Sequence, residues 1–135
     1  MKKELYPGAR ASYSKLVTPD MTVEFEGRPL HEFCSTYWLS HLAELVSRII
    51  LEPCLNENED GFGTGLSIRH YSPAAVGQTI NLTAVCSEVR GSYSKCTVEA
   101  RVGQRLISTA VVHQVVVQKS RIDQMHAELA AEMKQ

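Results

Sequence analysis

The sequence predicts an α+β domain: an antiparallel sheet wrapped around one long central helix, with a further helix at the C terminus. Three observations point there. Thr36 to Leu51 is a nearly unbroken apolar segment closed by Pro53. Four runs of period-two alternation follow between Thr64 and Gln118, separated by short turn signals. Beyond Ser120, apolar residues recur at helical spacing.

In chain order, Ala11 to Phe25 mixes β-formers with polar residues around Thr18-Pro19-Asp20, which suggests a short strand on each side of Pro19. Glu26 to Phe33 contains Gly27 and Pro29 and is expected to be a connecting loop. Ser35 or Thr36 offers a helix cap, and Pro53 ends the helix. The helix carries large apolar residues on nearly every side, so it is expected to be enclosed, because a surface helix needs only one apolar stripe. Leu55 to Gly61 is expected to be an exposed polar loop.

In the first long strand Thr64, Leu66, Ile68 and His70 share a face, opposite Gly65, Ser67, Arg69 and Tyr71. The second places Ile80, Leu82, Ala84 and Cys86 on one side, and Gly91-Ser92 turns it into the third. Gly103-Gln104 leads to the fourth, a valine-rich run from Arg105 to Gln118. Ser120 to Asp123 resembles a capping box, after which Ile122, Met125, Leu129 and Met133 form a stripe expected to pack against the sheet.

The 135 residues fit one domain, 1–135, with a single core. Hydrophobic residues make up 44% of the chain, which excludes a disordered one. A net charge of -1 without blocks of like charge argues against nucleic acid as a partner, since binding phosphates needs a basic surface. No apolar run is long enough to span a bilayer, and Met1-Lys2-Lys3-Glu4 does not open a signal peptide, so no membrane partner and a cytoplasmic location are expected. Cys34, Cys54, Cys86 and Cys96 lack metal-site spacing, so no metal is expected. Cys86 and Cys96 flank the Gly91 turn and could be cross-strand neighbours.

Glu44 interrupts the apolar helix. A carboxylate buried there must be paired, hydrogen-bonded or held with a raised pKa, and such groups are often catalytic. Arg48 at i+4 and His41 at i−3 also permit a helical ion pair, which on periodicity alone is the simpler account. His70 ends a strand face that should point at the helix and so toward Glu44, yet on the pattern alone a core-edge histidine bonded to a carbonyl is the simpler account. Thr36, Ser40 and Glu44 recur every four residues as a polar stripe, which could line a ligand channel or be a cap and a packing residue. Gly61 to Gly65 is neither a phosphate loop nor a dinucleotide signature. Its glycines could serve a turn, or let a carbonyl approach bare N–H groups.

Taken together, Ser35-Thr36-Tyr37-Trp38-Leu39, Glu44, Gly63-Thr64 and His70 resemble the hotdog-fold thioesterases of the fluoroacetyl-CoA type. That family has a threonine at the start of the hotdog helix, a glutamate eight residues later, a histidine twenty-six residues beyond, and a glycine seven before the histidine. Thr36, Glu44, Gly63 and His70 match all four spacings, and the resemblance runs from about Ser35 to His113-Gln114-Val115. Val115 stands where the family has an arginine, and Gly27 and Leu30 stand where it has lid phenylalanines.

The resemblance implies hydrolysis of a short acyl-CoA by a hotdog domain, without implying fluoroacetyl selectivity. Thr36, Glu44 and His70 are the implied catalytic residues, with Gly63 and Thr64 binding substrate. No cofactor is implied beyond the CoA of the substrate itself. The implied assembly is a homodimer or dimer of dimers with active sites at the subunit junction. Two alternatives are a non-catalytic hotdog module holding an acyl-CoA or other apolar ligand, and a hotdog hydratase. The hydratase D-x-N-x-x-H spacing does not occur.

Overall fold

The computed structural model describes residues 1–134. The strands are β1 (Arg10–Leu16), β2 (Thr22–Phe25), β3 (Arg28–Cys34), β4 (Glu59–His70), β5 (Thr79–Arg90), β6 (Tyr93–Val102) and β7 (Arg105–Gln118). The helices are α1 (Thr36–Leu51) and α2 (Lys119–Glu132). Five strands form one antiparallel sheet in the order β1-β5-β6-β7-β4, and α1 lies against it, contacting all five.

The alternation expected of the long strands is what builds the core. Ile80, Leu82, Ala84 and Cys86 of β5, Cys96, Val98 and Ala100 of β6, and Ala110 and Val112 of β7 are buried. They meet Leu39, Leu42, Ala43, Val46 and Ile50 of α1. Cys86 and Cys96 are direct cross-strand partners, and all four thiols are buried. Burial pushes the Cys34 thiol up to about 11 and the Cys96 thiol up to about 12.

Four expectations change. The segment expected as a loop contains β3, which pairs with β2 across a two-residue turn at Glu26-Gly27. Both turn residues have positive φ, the requirement of a turn that matches strand twist. The expected polar loop is shorter: Leu55 is buried and β4 begins at Glu59, where an acidic, glycine-rich composition hid a strand. The C-terminal helix starts at Lys119 with no side-chain cap, and no residue of it is buried. Leu129 and Met133, expected to pack, are 55% and 85% exposed.

The fourth correction bears on the site. Helix α1 is covered on one side only, because the sheet reaches just one of its faces in a single chain. Tyr37 (79% exposed), His41, Glu44 and Ile49 face outward. Glu44 is therefore exposed here rather than buried.

Candidate active site

The start of α1 and the end of β4 meet first. Ser35 caps the helix, its side chain accepting from the Trp38 backbone N–H at 3.0 Å, which sets Thr36 as the first helical residue. Thr36 Oγ1 lies 3.0 Å from His70 Nδ1. His70 occupies the face predicted for it, in phase with the half-buried Leu66 and Ile68.

Its other ring nitrogen, Nε2, lies 2.9 Å from the Ser72 carbonyl oxygen. A carbonyl only accepts, so Nε2 carries a proton, and in the neutral ring Nδ1 accepts from the Thr36 hydroxyl. The Ser72 carbonyl is itself held. Ser72 Oγ donates to the Leu106 carbonyl at 2.7 Å, and Arg105 donates to Ser72 Oγ at 3.0 Å and to the Pro73 carbonyl. Ser72 and Arg105 thus orient the imidazole from behind. Sequence reading missed both, because a backbone carbonyl and a residue three strands later leave no local pattern.

Glu44 sits elsewhere. Its carboxylate lies over Gly63: a Cβ on that glycine would stand 3.5 Å from Glu44 Oε2. The helical ion pair with Arg48 does not form. Arg48 instead donates to Asp60 at 2.8 Å and to the Gly61 carbonyl at 2.9 Å, and lies 3.5 Å from Glu52. The Asp60 hydrogen bond raises the Arg48 pKa, and Arg48 holds the Asp60 carboxyl below the usual range. Among the described residues Glu44 has no salt-bridge partner, so a structural pair does not account for it. Ser40 Oγ donates to the Thr36 carbonyl at 2.9 Å, a local helical bond. His41 packs edge-on against Trp38 at 5.4 Å.

Strand β4 carries the remaining candidates. Gly63 pairs with Gln114 and Gly65 with His113, leaving Thr64 as the extra residue of a bulge. The alternation assigned to Thr64 therefore breaks: above the bulge Gly63 takes the phase that faces α1. Bulges re-aim backbone groups and are frequent beside active sites. β4 is also an edge of the sheet, so one row of its N–H groups has no strand partner.

Two cavities result. One, of about 290 Å³, is lined by Thr36, His70, Tyr71, Ser72 and residues of β2 and β3. The other, of about 300 Å³, is lined by His41, Glu44, Leu45, Arg48, Gly63, Val112 and Gln114. One chain thus joins Thr36 to His70 and Glu44 to Gly63, but not the two pairs. Gln114 was also missed, although a glutamine in the core-facing phase of a valine-rich strand is a legible signal.

A helix laid against such a five-stranded antiparallel sheet is the hotdog fold, and the chain belongs to the fluoroacetyl-CoA-specific thioesterase family, whose model matches residues 17–120. Among solved structures, a hypothetical protein of Thermus thermophilus described as a thioesterase superfamily member is 30% identical, with 98% of each chain covered and a TM-score of 0.92. A point mutant of the fluoroacetyl-CoA-specific thioesterase FlK is 22% identical over 94% of this chain and 98% of that one, with a TM-score of 0.85. A hot-dog-like protein of Thermanaerovibrio acidaminovorans is 22% identical over 90% of both chains, with a TM-score of 0.84. FlK mutants have been solved with fluoroacetate and CoA and with acetyl-CoA. No curated protein matches significantly.

Proposed function

We propose that this protein hydrolyses the thioester of a short acyl-CoA to a carboxylic acid and free CoA. The observation that carries the reading is the Thr36–His70–Ser72 chain of hydrogen bonds, which fixes the tautomer of an imidazole at the mouth of a cavity. Water adds to the thioester carbonyl, the C–S bond breaks, and the thiolate takes a proton.

In this reading Glu44 acts as general base on water, or attacks the carbonyl to give an anhydride that water then opens. A backbone N–H of Gly63 or Thr64 stabilises the oxyanion, where one such donor is typically worth about 3–4 kcal/mol. His70 enters this step as imidazolium and gives its Nδ1 proton to the leaving thiolate, and the proton taken from water then restores it. Thr36 orients the imidazole rather than Glu44. No cofactor beyond the substrate's own CoA is assigned, and four buried, unbonded thiols suit the reducing cytoplasm.

Two copies are proposed to form the working unit. Glu44 and His70 lie on separate cavities in one chain, and the outward face of α1 and the free edge of β4 offer the surface a second copy would cover. That same separation is the one observation favouring a non-catalytic module that merely binds acyl-CoA.

Free thiol released from a panel of acyl-CoAs decides between them. Hydrolysis is expected, with Glu44→Gln and His70→Ala each lowering turnover at least ~100-fold, the scale of acid–base groups. Binding without any thiol release would favour the module, and wild-type rates in both variants would remove these residues from the mechanism. Single turnover in ¹⁸O-labelled water tests the anhydride route: label in Glu44 marks an anhydride opened at the Glu44 carbonyl, and label confined to the acid product marks attack of water at the acyl carbon.

A further inference from the structure

Gln114 is the unexplained polar group of the second cavity. It lies on β7 in the phase of Ser108, Ala110 and Val112, facing α1, and is only 5% exposed. Its amide makes no hydrogen bond among the described residues. Among the described residues no side-chain nitrogen or oxygen is sealed from solvent without a partner, so the amide opens into the cavity it lines. On one side its cross-strand neighbour is Gly63, over which the Glu44 carboxylate lies; on the other it is Ser94.

We propose that Gln114 is a specificity-determining residue that binds a hydrogen-bonding substituent, a hydroxyl or oxo group, on a short acyl chain. The proposal rests on the reading of this protein as an acyl-CoA thioesterase. A carboxamide both donates and accepts, so it serves either substituent. The neighbouring Glu44 carboxylate offers acceptors only, so acyl groups ending in a carboxylate, which would bring no donor to it, are disfavoured. A volume of about 300 Å³ is at the small end for ligand sites, which limits chain length. A plain hydrocarbon acyl group would close the cavity over an unpaired amide. Sites built around such a group reject analogues that lack its partner.

The test compares 3-hydroxybutyryl and butyryl analogues of CoA in which a methylene replaces the thioester sulfur, so that neither can be hydrolysed. Their binding to the wild-type protein, Gln114→Leu and Gln114→Glu is measured by calorimetry. The expected result is at least a tenfold preference of the wild type for the hydroxylated analogue, lost in Gln114→Leu and reduced in Gln114→Glu. Leu fills a similar volume without a polar group, so its melting temperature should not fall. A wild type that binds the two analogues equally, prefers butyryl, or binds neither would overturn the proposal, as would a preference that persists in Gln114→Leu. Thiol release from the matching thioesters separates the two readings. A Gln114-dependent preference without hydrolysis of any thioester would sink the thioesterase reading alone, and hydrolysis without that preference would sink this proposal alone.

Discussion

Thr36 and His70 show how much one hydroxyl can decide. The imidazole is gripped on both nitrogens, by the Thr36 hydroxyl on one side and the Ser72 carbonyl on the other. Thr36→Val removes the hydroxyl at nearly constant volume. Losing a hydrogen bond worth about 1 kcal/mol that acts on the imidazole should lower kcat roughly five- to tenfold, with KM little changed. Thr36→Ser should retain most of the rate. Equal kcat in the Thr36→Val variant and the wild-type protein, in steady-state thiol release, would exclude the hydroxyl from catalysis.

Asp60 makes a different prediction at the same scale. Its carboxyl is held below the ordinary 3.8, first by the Arg48 hydrogen bond and then by the Gly61 N–H. A depressed folded-state pKa contributes stability above the unfolded value and loses it as pH falls through the folded one. Acid should therefore weaken the protein below pH ~4, and Asp60→Asn should flatten that limb of the stability curve. The pair is about two-fifths exposed, so the effect stays within about 1 kcal/mol at neutral pH and shrinks in salt. Urea midpoints measured from pH 3 to 7 check it: an unchanged acid limb in Asp60→Asn would assign the loss to other carboxylates.

Elements position the chemistry through their ends. Ser35 caps α1 just before Thr36, so the cap and the hydroxyl that meets His70 share one turn. Ser35→Ala should cost about 1 kcal/mol, a fall in Tm of roughly 3–5 °C for a domain of this size, and should slow turnover by more than the lost folded fraction accounts for. Thermal melts beside activity at 20 °C give both numbers, and turnover identical to wild type would separate the cap from the site. At the other end of the site, the bulge at Thr64 gives β4 two phases. Below it the strand aims Leu66, Ile68 and His70 at the helix; above it, a glycine without a side chain lets the Glu44 carboxylate rest close to the backbone.

At the scale of the whole molecule, α1 is the central fact. Its sequence is more apolar than one sheet can use, and Tyr37 is left 79% exposed beside His41 and Glu44. Thr36 and Glu44 stand about 12 Å apart along the helix axis, so one chain does not bring the carboxylate to the imidazole that Thr36 holds. The proposed pairing of two copies makes a direct prediction. Mixing inactive Glu44→Gln with inactive His70→Ala protein should restore activity, because a mixed dimer rebuilds one of its two sites. With random exchange of chains, about a quarter of wild-type turnover should return. No recovery after verified exchange would mean that each site draws both residues from the same chain.

The sequence by itself determined the elements whose patterns are local. Period-two alternation read out β5, β6 and β7 and the phase of His70, while Ser35 and Pro53 bracketed α1, because these signals depend on neighbours a few residues apart. The resemblance to the hotdog thioesterases marked Thr36, Glu44, Gly63 and His70 as candidates. Tertiary structure decided which of them meet. It turned Arg48 away from Glu44 toward Asp60, put Ser72 and Arg105 behind His70, slipped a bulge into β4, and brought Gln114 beside Gly63. Each of those contacts joins residues on different elements, and no periodicity along one strand or helix encodes which way a side chain turns when several partners compete. The exposed face of α1 belongs to the same class: the sequence set Tyr37, His41, Glu44 and Ile49 along it, and only the reach of the sheet left them uncovered.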